Sequence, residues 1–406
     1  MGATNKAVAW ILGSGFSRSL GGPLLSELLS QQSRVRLARQ YKDVKWLGGR
    51  PDPNDPRTRW NDAVDFFDSE SVQVVYDLFA FGTGYPEGWI QSYDRRPSGL
   101  GAKLWAHAEE FLDYLDAETN GGSDAFTLPS LLTTLGKDLA QFHPQDYPLF
   151  SHAARRIIAA ECAYFLEHRP TTLEVWQPYV DWAAQLEHTD TVVSFNYDTV
   201  VETAALAAAR REAEDERGKG IHVYMQDEAA LRKAVVGNMP VLVKLHGSID
   251  WKHVPNKTPF PFERVEGKNC ALLAGPREKV AIATPGPTKK AMTDDDFAPL
   301  WQYAAARIRE ADAVVFLGYR FPPSDAQARG RILGAITENT RPEDEIMRHT
   351  LDLHVVLGDD HPAAERLEAL LKSLRVTGGN RARSRNVQRR PLFVEDFLTV
   401  CHRRNL

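Results

Sequence analysis

Cysteine is scarce in this chain: Cys162, Cys270 and Cys401 are the only three in 406 residues, and they lie far apart. No C-x-x-C pair exists, so neither a disulfide framework nor a cysteine-built zinc module is encoded, and no metal is expected. No stretch of about 18 residues is apolar throughout, which excludes an expected membrane span. The first apolar run, from Ala7 to Leu12, stops at Gly13 without a cleavage region and reads as a strand, not a signal peptide. Lys6 stands where a myristoylation pattern after Gly2 needs Ser or Thr. Charge of one sign does not dominate either. The net −5, from 49 basic and 54 acidic residues, gives no reason to expect nucleic-acid contact beyond an indirect or weak one through a local patch. The phosphate-loop pattern G-x-x-x-x-G-K-[ST] is missing as well. These absences leave a cytoplasmic protein without a membrane partner as the expectation.

What is present is ordinary in amount, with 43% hydrophobic and 25% charged residues, but ordered in arrangement. Short β-branched runs alternate with helical patterns. Strands are expected at 7–12, 191–195, 221–225, 241–245, 280–283, 313–317 and 351–357. Helices are expected from Pro23 to about Gln40, at 153–166, from Thr199 to about Glu214, and at 291–311, 325–337 and 362–374. Residues 251–270 carry no helical period and read as loops or a hairpin. The expected class is α/β, a Rossmann-like doubly wound parallel sheet with a large helical insertion. Residues 1–23 and 189–375 would form the sheet domain and 24–188 the insertion. Residues 376–406 would be a C-terminal basic segment and helix, in which Arg381–Arg390 reads as a solvated basic loop or a contact for an acidic partner or nucleic acid.

Three stretches at expected strand ends carry the chemistry. Gly13-Ser14-Gly15-Phe16-Ser17 follows the first strand and can turn tightly, offering backbone N–H groups to a phosphate at a helix start. An ordinary glycine turn is the competing reading, because Arg18 stands where the third glycine of G-x-G-x-x-G belongs. Ser194-Phe195-Asn196-Tyr197-Asp198 puts an amide and a carboxylate at the carboxyl end of the second strand, where open α/β sheets bind ligands. Asp198 also suits a helix N-cap, whereas Asn196 lies too early to cap. Lys244-Leu245-His246-Gly247 adds an imidazole, a group that titrates near neutrality. Gly318-Tyr319-Arg320-Phe321 repeats the pattern at a later strand, and Gly358 and Asp359 follow the last one.

In this order the pieces resemble the sirtuin family, and more closely its prokaryotic antiphage-defence NADase branch. Gly13–Ser17 is similar to the sirtuin G-A-G-I-S loop, Ser194–Asp198 to T-Q-N-I-D, Leu245-His246-Gly247 to the catalytic histidine motif, and Gly318–Phe321 to the late G-T-S-L segment. The resemblance touches 7–23 and about 190–360. It implies cleavage of the nicotinamide–ribose bond of NAD, with NAD as substrate. Asn196 would orient the ribose and the attacking water, and His246 would act as general base. Gly13, Ser14, Gly15, Phe16, Ser17, Tyr197, Asp198, Gly318, Tyr319 and Asp359 would bind the dinucleotide. It also implies a homo-oligomer and a separately encoded HerA-type ATPase as partner. The chain departs from classical deacylases in lacking their two zinc-binding cysteine pairs, which counts against protein deacylation. A nucleotide sensor that binds NAD or ADP-ribose is the alternative to the hydrolase.

Overall fold

A computed structural model of the chain describes residues 6–29, 147–167, 173–212, 220–254, 256–257, 260–265, 280–282, 296–321, 326–339, 350–358, 361–374 and 385–406. The expectations for most of the insertion, for Asp359 and for Arg381–Ser384 lie outside these residues.

Seven strands form one all-parallel sheet: β1 (Val8–Leu12), β2 (Thr191–Ser194), β3 (His222–Val223), β4 (Val241–Lys244), β8 (Ala313–Leu317), β9 (Leu351–Val356) and β10 (Arg385–Arg390). Their order is β10-β9-β8-β1-β2-β4-β3. β1 lies mid-sheet, with Trp10 in register with Val192 on one side and Val315 on the other. The chain builds outward from β1 through β2 and β4, then returns across it to begin again at β8. Strand order therefore reverses between β1 and β8, the point beyond whose carboxyl ends open α/β sheets bind ligands.

The two-residue period of a strand divides the apolar side chains into two cores. Val8, Trp10 and Leu12 join one face with Val192, Val315 and Leu317; Ala9 and Ile11 join the other with Val193, Val314 and Phe316. The first face is covered by α1 (Tyr147–Glu167), α2 (Gln177–Gln185), α3 (Val200–Glu212) and α8 (Val394–Val400). The second is covered by α5 (Ala298–Arg309), α6 (Ala326–Thr337) and α7 (His361–Ser373), with α4 (Glu228–Val236) at its margin. Helices on both faces explain why the central strands read as unbroken apolar runs. Asn339, fully buried, closes α5 by donating from Nδ2 to the carbonyls of Ile308 and Ala311, which satisfies carbonyls the helix end leaves open.

A second, three-stranded antiparallel sheet has the order β6-β5-β7, with β5 (Gly247–His253) between β6 (Phe262–Arg264) and β7 (Val280–Ile282). It contains the hairpin expected after residue 251 and begins directly behind His246. α1 packs against β5 and β7.

Two local expectations are corrected. No α-helix starts at Pro23: residues 14–27 form three short 3-10 turns, Ser14–Phe16, Arg18–Leu20 and Leu25–Glu27, and Leu29 already has φ +56. Gly21 at φ +96 breaks the path, and Glu27 folds back to accept from the Leu24 N–H at 2.9 Å. The basic run is not a loop over 385–390 but the edge strand β10. Its arginines lie against α7, with Arg389 facing Glu365 and Arg385 donating to the Lys372 carbonyl. The C-terminal residues thus complete the main sheet and do not stand apart from it, and α8 packs on α2.

Candidate functional site

The turns after β1 and β8 meet at the reversal point, backbone against backbone. The Gly13 N–H donates to the Leu317 carbonyl at 3.1 Å and the Gly15 N–H to the Gly318 carbonyl at 3.2 Å. A Cβ on Gly13 would stand 2.7 Å from the Gly318 oxygen, and one on Gly318, at φ +64, 2.5 Å from the Gly15 carbonyl carbon. The glycines are needed for close approach, as a phosphate-binding turn would also require. Three of the amides expected to face a phosphate are nevertheless committed within the fold, since Phe16 N–H also bonds back to the Gly13 carbonyl at 2.8 Å. The turn leads into a 3-10 segment and not an α-helix, so it lacks the helix dipole that the motif suggested.

Aromatic packing fixes this turn from below. Phe16 is fully buried and meets Tyr179 and Trp182 of α2 edge-on, with centroids 5.2 and 5.3 Å away. The Tyr179 hydroxyl donates to the Phe16 carbonyl at 2.8 Å and lies 2.7 Å from the Ser19 hydroxyl. Burial pushes the Tyr179 phenol well above its ordinary pKa, so it remains a hydrogen-bond donor across the physiological range.

Ser17 joins the turn to the residues after β2. Asn196 Nδ2 donates to Ser17 Oγ at 3.1 Å, and Ser17 Oγ donates to Asp198 Oδ2 at 2.6 Å. The other carboxylate oxygen of Asp198 accepts the Val200 N–H at 3.1 Å, at the start of α3. Asp198 therefore caps a helix and braces Ser17 at once. Burial raises its pKa, opposed by the nearby Lys244 ammonium and by its hydrogen bonds.

His246 enters from the neighbouring strand. The ladder continues past β2 and β4, with Phe195 N–H on the Leu12 carbonyl and Leu245 N–H on the Ser194 carbonyl, both at 3.0 Å. His246 is buried among rings: Phe195 at 4.9 Å, Tyr197 at 6.3 Å and Trp301 of α5 at 6.3 Å. Phe195 in turn stacks on Tyr319 at 4.0 Å, and Arg331 lies 5.2 Å over the Trp301 ring. Gly247 sets the exit from His246. Its φ is +76, and a Cβ there would fall 1.9 Å from the Ala281 carbonyl oxygen. Ile249 N–H and Ser248 Oγ both donate to the Tyr197 carbonyl, at 3.0 and 3.3 Å, which ties the His246 strand to the Asn196 segment.

Of the residues singled out from sequence, Gly13, Gly15, Phe16, Ser17, Asn196, Tyr197, Asp198, His246, Gly318 and Tyr319 come together around the ends of β1, β2, β4 and β8. Ser14 lies in the same turn, partly exposed. Sequence reasoning did not select Phe195, Trp301, Tyr179 or Lys244. Lys244 had a signal, a lone cation inside Val-Leu-Val-Lys-Leu, because a buried lysine must find acceptors. Among the described residues, no group of three or more His, Cys, Asp or Glu side chains is placed to hold a metal ion, and no helix is long and apolar enough to cross a membrane. Comparison with protein-family models and with curated proteins finds no match to this chain.

Proposed function

We propose that this protein is an NAD glycohydrolase, which adds water across the nicotinamide–ribose bond to release nicotinamide and ADP-ribose. The observation that carries the reading is that the segments bearing Asn196 and His246 lie at adjacent strand ends, with Tyr197 beside the His246 ring and Asn196 bonded to Ser17 of the turn at the glycine-lined reversal point, where α/β sheets take ligands. The reaction passes through an oxocarbenium-like state in which positive charge spreads over the ribose. Asn196, held through Nδ2 by Ser17, keeps its amide oxygen for the ribose or the attacking water. His246 takes a proton from that water or from a ribose hydroxyl. Tyr197 and Tyr319 supply the flat apolar walls that a nicotinamide ring requires. Few water molecules compete within such a buried aromatic setting, which strengthens each polar contact.

A nucleotide sensor is the second reading. It is favoured by Asp198, whose two oxygens both serve the fold and leave it a bracing role. The absence of cysteine pairs from the sequence argues against a deacylase. In the hydrolase reading an NAD-consuming enzyme needs restraint in a healthy cell. Oligomerisation, or a separately encoded ATPase of the HerA type, would supply it, with NAD depletion during phage infection as the outcome in the cytoplasm.

The deciding experiment is NAD turnover with product identification on the purified chain, alone and with candidate activators. Asn196→Ala and His246→Ala are each expected to lower kcat by on the order of 10²–10³-fold while the fold is retained. Binding of ADP-ribose without turnover under any condition would replace the hydrolase with the sensor.

A further inference from the structure

Lys244 ends β4, with a side chain only 1% exposed. An ammonium taken out of water costs several kcal/mol unless it is fully engaged. Here Nζ donates to the Asp198 carbonyl, lies 3.4 Å from the Tyr197 carbonyl and is 3.2 Å from Glu202 Oε1 in the first turn of α3. Two of these three acceptors are main-chain groups of the residues directly after Asn196. The same chain segment reaches His246 two residues later. Lys244 thus lies two residues along the chain from one candidate catalytic group and is a hydrogen-bonded neighbour of the segment bearing the other.

We infer that Lys244 is a positioning residue, which sets the Asn196 amide relative to His246 by tethering the carbonyls of Tyr197 and Asp198. The catalytic meaning of this tether rests on the NAD hydrolase reading. The path is continuous: Lys244 holds the Asp198 main chain, the Asp198 carboxylate holds the Ser17 hydroxyl, and that hydroxyl accepts from Asn196 Nδ2. Neutralising Glu202 would account for one contact of the ammonium, but not for the two carbonyls turned toward it. The Asp198 carbonyl has only this ammonium as its partner among the hydrogen bonds described around the loop. The Tyr197 carbonyl is shared with Ser248 and Ile249.

The test separates charge balance from tethering. Lys244→Met combined with Glu202→Gln removes the Lys244–Glu202 ion pair as a unit and abolishes the tether, leaving the Asp198 carboxylate to its hydrogen bonds from Ser17 and Val200. The full chain, with asparagine side-chain amides labelled by ¹⁵N, is read by NMR, with Asn196→Ala identifying the relevant signal. Melting, ADP-ribose binding and NAD turnover are measured alongside. The expected result is a folded double variant with a displaced Asn196 amide signal and kcat lowered at least tenfold. KM and the ADP-ribose Kd should stay within about twofold of the parent, since the tether acts on geometry at the reacting bond. An unchanged Asn196 signal, or a displaced signal with unchanged kcat, overturns the inference. If the parent chain fails to turn over NAD both alone and with candidate activators, the hydrolase reading falls and the amide signal alone decides the tether. Glu202→Gln alone keeps an acceptor for Nζ and leaves the carbonyl tether in place. It should preserve both the signal and kcat, and a displaced signal there would overturn the inference even if the double variant does not fold.

Discussion

His354 is a histidine placed where charge is not tolerated. It lies in β9, 1% exposed, and among the described residues neither ring nitrogen has a hydrogen-bond partner. Burial lowers its pKa from 6.5 to about 4, helped by the positive Arg390 and Lys6 and opposed by Asp352. Well above pH 6.5 the ring is neutral in folded and unfolded chains alike, and it contributes no pH dependence. Between about pH 6.5 and 4 the unfolded chain takes up a proton that the folded chain refuses, so stability falls as pH falls. The loss from this one residue approaches ~3 kcal/mol at the acid end. Asp190, Asp198 and Glu202, whose pKa values burial raises, act with the opposite sign. The contribution of His354 is therefore read as a difference: the stability of His354→Leu minus that of wild type, from denaturant unfolding, should rise as pH falls from 7.5 to 4.5. A constant gap from pH 7.5 to 4.5 would show that His354 carries no such linkage.

At the scale of elements, space around a glycine decides what a methyl group does. Gly13 has extended dihedrals, φ −122 and ψ −174, which any residue adopts, so its requirement is purely the approach of the β8 turn. Gly13→Ala forces two backbones apart and is expected to cost about 1–3 kcal/mol, measured by chemical unfolding. Gly330, in the body of α6, has nothing within 4 Å of a Cβ. Gly330→Ala should stabilise by about 0.5–1 kcal/mol, because it removes backbone freedom from the unfolded chain at no steric cost. Equal effects at the two positions would mean that contact, and not propensity, had been misjudged. The same physics explains which elements were legible from sequence. β1, β2, β4, β8 and β9 are buried on both faces, so their apolar runs mark them to within about a residue. β10 carries Arg-Asn-Val-Gln-Arg-Arg because an edge strand needs only one neighbour and keeps its side chains partly in water, and such a strand has no apolar signature. Over the described residues 23–29 the expected helix start gives way to turns, because Gly21 at φ +96 and the Gly22 N–H bonded to the Ser17 carbonyl at 3.0 Å redirect the chain just before it. In the site, the strand-end positions of Asn196 and His246 were readable from periodicity. The bracing by Ser17, Lys244 and Tyr179 joins residues far apart in the chain and was not.

Across the whole molecule, the C-terminal residues fasten the amino-terminal ends of the central strands, opposite the candidate site. Arg403 is the fastener. Its Nε and Nη2 hold both oxygens of Asp190 at 2.5 and 2.8 Å, Nη2 reaches the Thr189 hydroxyl and the Lys6 carbonyl, and Nη1 meets Glu187 at 2.9 Å. Asp190, fully buried, also accepts the Val8 N–H at 3.1 Å, so one carboxylate joins the start of β1 to the end of the chain. Burial raises the Asp190 pKa, and Arg403 is the chief force opposing that rise. Arg403→Ala strands a carboxylate in the interior and should cost about 3–5 kcal/mol. Part of that cost is relieved when Asp190 takes up a proton, so the penalty should shrink as pH is lowered. Asp190→Asn with Arg403→Met removes both charges and should recover most of the loss, since a buried pair is worth little more than a neutral replacement of similar volume. In the hydrolase reading, NAD turnover per folded molecule should not change in either variant below its melting temperature, because the clamp and the segments bearing Asn196 and His246 lie at opposite ends of the same strands. Melting curves at two pH values, with NAD turnover at a temperature where all variants are folded, check each part. A double variant as unstable as Arg403→Ala would mean that the cost comes from lost contacts with Lys6 and Thr189 and not from the uncompensated charge.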